Sequence, residues 1–327
     1  MPKLPFICPE DLRVALSGFN VKKNNSQTLM CVGSMAAGRV AFMQLIAQHF
    51  LCDSSSAMPC DQCQNCRLLN THQHPDILWL NIDDLPVKID QVRHLVHFLQ
   101  KTPTLSQRRI AGIFSADKLS VQCANALLKT LEAPLGNAVL LIGANHPSHV
   151  LETISSRCRV IQMPSVDQAL AKSWLQNETN VSSLQAASWL NIANNEPLNA
   201  MAMIQDKEMS DIIHHLMSDS FRSTVEWGLI LKEVQQVNVA LDMVLSLVYD
   251  ANITLATGRL SCWAELYPFW AMCLKRFSFE KLSHAWLSLM VLKRILKQSV
   301  SLHVPTLSGQ LAKIWNTLVF DGVNRVY

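Results

Sequence analysis

Gly33-Ser34-Met35-Ala36-Ala37-Gly38-Arg39-Val40 has the glycine spacing of a phosphate-binding loop. In such a loop backbone N–H groups cradle phosphates, a lysine follows the second glycine, and the next Ser or Thr hydroxyl holds Mg²⁺. Arg39 stands at the lysine position and Val40 at the hydroxyl position. A planar guanidinium does not replace a compact ammonium there, although it could still meet an anion. The spacing is weak evidence alone, and gains weight from lying between a strand and a helix whose N-terminal N–H groups suit phosphate. Downstream, the apolar run from Ile110 ends in Phe114-Ser115, where an active site would place two acids for Mg²⁺, and Asp117 falls a few residues late. Phosphoryl transfer depends on a positioned Mg²⁺ and an oriented water. The loop is therefore expected to be structural, or to bind nucleotide without hydrolysing it.

Cys52, Cys60, Cys63 and Cys66 form C-x7-C-x2-C-x2-C in a stretch rich in Ser, Asp and Gln. Two-residue spacers let successive thiolates turn onto one ion, and four sulfurs favour tetrahedral Zn²⁺ in a closed, structural site. Free surface thiols or redox pairs are the alternative. His72 and His74 could replace a cysteine, but a full sulfur set makes them unnecessary. A closed site leaves no open position, so zinc catalysis is not expected.

Ser156-Arg157-Cys158 is the third feature. A guanidinium beside a disabled phosphate site is most useful to a live site in another chain, where it can stabilise charge on a transferring phosphoryl group. The ordinary alternative is an arginine that caps helix carbonyls or pairs with a carboxylate.

The elements that must hold these residues divide the chain. Short apolar runs at 28–32, 77–80, 110–114, 139–143 and 160–163 have the form of buried parallel strands. Helices are expected at 38–51, at 90–100 with Val92, Leu95, Val96 and Leu99 on one face, and from Ser120 through Leu131 to a stop at Pro134. A doubly wound α/β domain follows from this alternation. Residues 165–199 read as two or three short helices punctuated by Asn and ended at Pro197, and longer helices are expected at 224–248, 263–276 and 282–300.

With 327 residues, two or three domains are expected. The hydrophobic content of 49% beside 16% charge describes a globular protein with interfaces, and no stretch approaches the roughly 20 uncharged apolar residues of a membrane span. Met1-Pro2-Lys3-Leu4-Pro5-Phe6 lacks the apolar core and cleavage site of a secretory signal, so a cytoplasmic location is expected. Ten cysteines, four of them bunched, then read as metal binding and not as disulfides. A net charge of only +3 argues against a protein that holds DNA by phosphate neutralisation alone. Trp174, Trp189, Trp227, Trp263, Trp270, Trp286 and Trp315 are scattered through helical stretches and read as core or interface contacts, not base-stacking platforms.

Asn125-Ala126-Leu127-Leu128-Lys129-Thr130-Leu131-Glu132 followed by Pro134, and Ser156-Arg157-Cys158 before an apolar strand, resemble the clamp-loader branch of the AAA+ family. Together with the cysteine cluster and the degenerate loop, they resemble the delta-prime subunits of bacterial DNA polymerase III. The close motif resemblance covers roughly residues 29–163, and the rest agrees in layout and helical character.

The resemblance implies a RecA-like AAA+ module at 1–164 with an inserted zinc segment at 52–66, a helical lid at 165–207 and a helical collar at 208–327. It implies a non-hydrolysing member of a hetero-pentamer with gamma or tau and delta subunits, which acts on the sliding clamp and primer-template DNA. ATP would be bound by the neighbouring subunits, and the nucleotidyltransferase activity would belong to the holoenzyme. Arg157, flanked by Ser156 and Cys158, matches the arginine finger offered to a neighbour's ATP, and Cys52, Cys60, Cys63 and Cys66 match the zinc ligands. Ala144 and Asn145 stand where an active relative places a water-sensing residue, a role expected to be dispensable here. Lys129 and Glu132 read as a solvated or interface face at least as well as a DNA contact. Two other functions stay open: a divergent ATPase that holds phosphate through Arg39, and a zinc-containing DNA-binding protein built on an AAA+ scaffold.

Overall fold

The computed structural model describes residues 4–17, 27–54, 58–81, 86–132, 137–207, 234–258, 278–298 and 303–320. The chain divides into two compact units, Met1–Ala171 and Lys172–Tyr327.

The first unit is a parallel α/β layer structure. Its helices are α1 (Pro9–Ser17), α2 (Arg39–Leu51), α3 (Gln64–Asn70), α4 (Ile89–Gln100), α5 (Val121–Glu132) and the single turn α6 (Glu152–Ser155). Its strands are β1 (Gln27–Val32), β2 (Ile77–Leu80), β3 (Arg109–Ile113), β4 (Ala138–Ala144) and β5 (Arg159–Gln162). All pairings are parallel, in the order β2-β3-β4-β1-β5. β3 and β4 are buried along their whole length, as continuous apolar strands must be when helices cover both faces. Met30, Val32, Ile113, Leu140 and Ile142 of the sheet pack with Val92, Leu95 and Leu99 of α4 and Leu127 of α5. α2 is apolar nearly all round and buried at ten of its thirteen positions, so it serves as a central helix.

The expected parallel α/β sheet with flanking helices is therefore present, and each expected strand lies within a residue of its observed bounds. The short helices α1 and α3 were not anticipated.

The second unit is helical among the described residues, beginning within α7 (Gln168–Thr179) and continuing as α8 (Ser183–Ile192), α9 (Pro197–Gln205), α10 (Val234–Thr257), α11 (Phe279–Gln298) and α12 (Val304–Phe320). Pro197 opens α9 instead of ending a helix, because a first-turn proline loses no intrahelical hydrogen bond. The helix expected at 224–248 runs on to Thr257, and 263–276 lies outside the described residues, as do Pro134, Trp227, Trp263 and Trp270. α10 packs against α8, α11 and α12, and Trp189 and Trp315 are buried core residues, as expected of them.

Residues Val237–Thr257 have a mean hydropathy of 1.5 and suffice in length and composition to cross a membrane. Half of this stretch is buried in the protein, and its Asp242 is paired with Lys293 of α11, which marks a core helix.

Candidate functional site

The degenerate loop, the end of β3 and the end of β4 meet beyond the carboxyl edge of the sheet, where open parallel sheets bind ligands. Arg39, the first residue of α2, is fully buried and turns back into the loop. Its Nη1 donates to the Gly33 carbonyl at 2.6 Å and to Asn145 Oδ1 at 2.9 Å, and its Nη2 donates to Ser115 Oγ at 3.1 Å. Asn145 Nδ2 in turn donates to Asp117 Oδ2 at 2.7 Å. One guanidinium thus joins the loop to Ser115 after β3 and Asn145 after β4.

The loop also engages its own N–H groups. Ala37 and Arg39 donate to the Ser34 carbonyl, Gly38 to the Met35 carbonyl, and Ala36 to Ser34 Oγ. These are N–H groups that a working loop would direct at phosphates. Gly38 has φ 97°, and a Cβ there would lie 2.5 Å from Leu4 Cδ2, so the N-terminal segment covers the loop. A Cβ on Gly33 would meet Met163 Cβ at 2.8 Å. Val40, half-buried, brings no hydroxyl to this place.

Phe114 belongs to the core: it is buried and stacks on Trp79 of β2 with centroids 4.8 Å apart and planes 20° from parallel. Trp79 fits because Gly112 has no side chain, a Cβ there lying 2.1 Å from the indole. Asn81, which sequence reasoning missed, fixes the end of β3 by accepting from the Phe114 N–H at 2.8 Å and the Ser115 N–H at 3.2 Å. Its φ of 50° is the only local signal, since Asn tolerates that conformation.

The four cysteines converge after α2, with all four Sγ atoms within 4.8 Å of one another. A tetrahedral site with metal–sulfur bonds of about 2.3 Å needs sulfurs roughly 3.8 Å apart. The Cys60 N–H donates to Cys52 Sγ at 3.3 Å, Cys63 N–H to Cys60 Sγ at 3.4 Å, and Cys66 N–H to Cys63 Sγ at 3.4 Å. Backbone N–H groups of Cys63 and Gln62 pull the Cys60 thiol down to about 6, toward the thiolate that binds metal. Burial pushes the Cys66 thiol up, so a cation would relieve the cost of ionising it. The cluster can hold a metal ion.

His74 is not one of the ligands. Its Nε2 lies 3.1 Å from Asn65 Oδ1, and Asn65 Nδ2 donates to the Leu51 carbonyl at 2.9 Å and to Asp53 Oδ1 at 3.0 Å. Two residues on, buried Asp76 accepts from the N–H groups of Thr104, Leu105 and Ser106 and from Ser106 Oγ, at 2.6 to 3.0 Å. Burial raises its carboxyl pKa, but these bonds together outweigh burial and hold it below the usual value.

Arg157 follows α6 with 38% of its side chain exposed. Nη1 donates to the Thr153 carbonyl at 2.9 Å and Nη2 to Glu132 Oε1 at 2.9 Å. Cap and ion pair, the two ordinary alternatives for this arginine, are thus both formed. Ser156 ends α6, and Cys158 turns inward with Sγ 3.1 Å from the Ile154 carbonyl, where burial pushes its thiol up to about 12.

Residues 15–167 match the family model described as "DNA polymerase III, delta subunit". The chain is 34% identical over 157 residues to the DNA polymerase III subunit delta-prime of Pseudomonas aeruginosa, covering 47% of this chain and 48% of that one. To the delta-prime subunit of Bacillus subtilis it is 26% identical over 249 residues, covering 73% and 75%. The chain spans about half the length of the curated relatives it matches first. A crystal structure of a DNA polymerase III gamma subunit-related protein from Thermotoga maritima superposes with a TM-score of 0.49 at 17% identity, over 94% of this chain and 99% of that one.

Proposed function

We propose that this chain, whose residues 15–167 match the DNA polymerase III delta family model, is a cytoplasmic clamp-loader subunit that does not hydrolyse ATP itself. In this reading it lends Arg157 to ATP held by a neighbouring gamma or tau subunit. It works in a hetero-pentamer with delta, on the sliding clamp and primer-template DNA. The closure of the loop by Arg39 carries the reading: the guanidinium and the loop N–H groups that would bind phosphates bond to protein instead. That closure weighs against a divergent ATPase, because Arg39 would have to leave Gly33, Ser115 and Asn145 before it could hold phosphate.

The exposed Arg157, just after the single turn α6, supports a role toward another chain. The four-sulfur cluster fits structural Zn²⁺ held by Cys52, Cys60, Cys63 and Cys66, which would brace the segment between α2 and α3. The division of the chain into AAA+ module, lid at 165–207 and collar at 208–327 belongs to the same proposal. Clamp loading on primed DNA tests it: Arg157→Ala should assemble with its partners as the wild type does on gel filtration and yet load clamps more slowly. Equal loss of assembly would make Arg157 an interface strut and sink the in-trans role.

A further inference from the structure

Arg157 is held from two directions. Its backbone is fixed: its N–H donates to the Ile154 carbonyl at 3.0 Å, the next N–H donates to the Ser155 carbonyl at 3.2 Å, and the Cys158 side chain is anchored on the Ile154 carbonyl. The long side chain would otherwise be free to sample many rotamers, and ordering them costs entropy when it engages a phosphate. Glu132 supplies what the backbone cannot. It is the last residue of α5, a helix mounted on the core through Cys123, Ala124, Leu127 and Thr130, and its Oε1 accepts from Nη2 while the Thr153 carbonyl accepts from Nη1. Two acceptors on separate elements fix both the position and the plane of the guanidinium.

Both partners are substantially exposed, 38% and 56% of their side chains, so the pair is screened by water and weak. A weak pair cannot withhold an arginine from a triphosphate, but it can orient one.

We propose that Glu132 is a positioning residue for Arg157, presetting the guanidinium for a nucleotide bound by a neighbouring chain. The proposal rests on the reading of Arg157 as an arginine supplied in trans. Sequence alone left Glu132, with Lys129, on a solvated or interface face or at a DNA contact.

The test is DNA- and clamp-stimulated ATP hydrolysis by the reconstituted complex carrying Glu132→Ala, Glu132→Gln, Arg157→Ala, or Glu132→Ala with Arg157→Ala. Glu132→Ala should lower kcat about two- to fivefold, the range of one exposed ion pair, with a smaller change in KM for ATP and an unchanged melting temperature. Glu132→Gln should recover most of the loss, since its amide oxygen can accept the same bond. In the Arg157→Ala background Glu132→Ala should have no further effect. The same loss in both backgrounds, or no loss from Glu132→Ala where Arg157→Ala is defective, would overturn the positioning role alone. Wild-type turnover by Arg157→Ala would overturn the in-trans reading and this inference with it.

Discussion

At the scale of single residues, Arg39 and the loop's own carbonyls together close a phosphate-type loop on protein groups. A lysine at position 39 would extend toward a phosphate; the arginine there bends back and bonds to Gly33, Ser115 and Asn145. Arg39→Ala should destabilise the protein by about 2–4 kcal/mol, because it leaves buried polar partners unsatisfied, and urea unfolding would measure this. Arg39→Lys should not create ATP binding in equilibrium dialysis, since Ser34 and Met35 still occupy the loop N–H groups. Cys63→Ser should lower zinc retention on metal analysis and leave the sheet folded, because the cluster lies outside the strands; wild-type protein without stoichiometric zinc would refute the metal assignment. The residue types at 39, 114 and 115 were legible as departures from a phosphate-loop and acidic-pair pattern. The mutual bonding was not, because Arg39 and Asn145 are 106 positions apart and no local pattern reports such a pairing.

At the scale of elements, the loop between α4 and β3 is organised by Asp76, which precedes β2 and collects three backbone N–H groups and a hydroxyl. Arg109 lies 3.8 Å from the same carboxylate and over the Phe98 ring at 4.5 Å. Asp76→Asn should cost about 3 kcal/mol at neutral pH, since it removes a buried charge from partners arranged around it. The carboxyl titrates lower in the folded than in the unfolded chain, so its contribution is present above the unfolded value near 3.8 and is lost as pH falls through the lower folded value. Unfolding curves of wild type and Asp76→Asn should therefore converge in acid, below about pH 4. The central strands β3 and β4 were legible because strands buried on both faces read as apolar runs, and edge strand β5 was legible from Val160 and Ile161 although only Ile161 is buried. α3 was not, because its seven residues are set by Cys63, whose sulfur caps the helix by accepting from the Cys66 N–H.

At the scale of the whole molecule, a parallel five-stranded sheet carries a loop closed by Arg39, a cysteine cluster and an exposed arginine, each on a different part of the first unit. The second unit buries Val237, Leu241, Val244 and Val248 along one long helix, a pattern legible as helix but not in its bounds. Exposed Leu287, Met290 and Val291 of α11 lie at helical spacing outside that core. Steady-state ATP hydrolysis tests the central claim most directly, measured with DNA and clamp for the chain alone, for the proposed complex with gamma or tau and delta subunits, and for that complex carrying Arg157→Ala. The chain alone should be silent, the complex active, and the variant complex slower by about 10-fold or more if the arginine is fully employed. Turnover by the chain alone, abolished by Arg39→Ala, would contradict the closed loop and make this protein a motor in its own right.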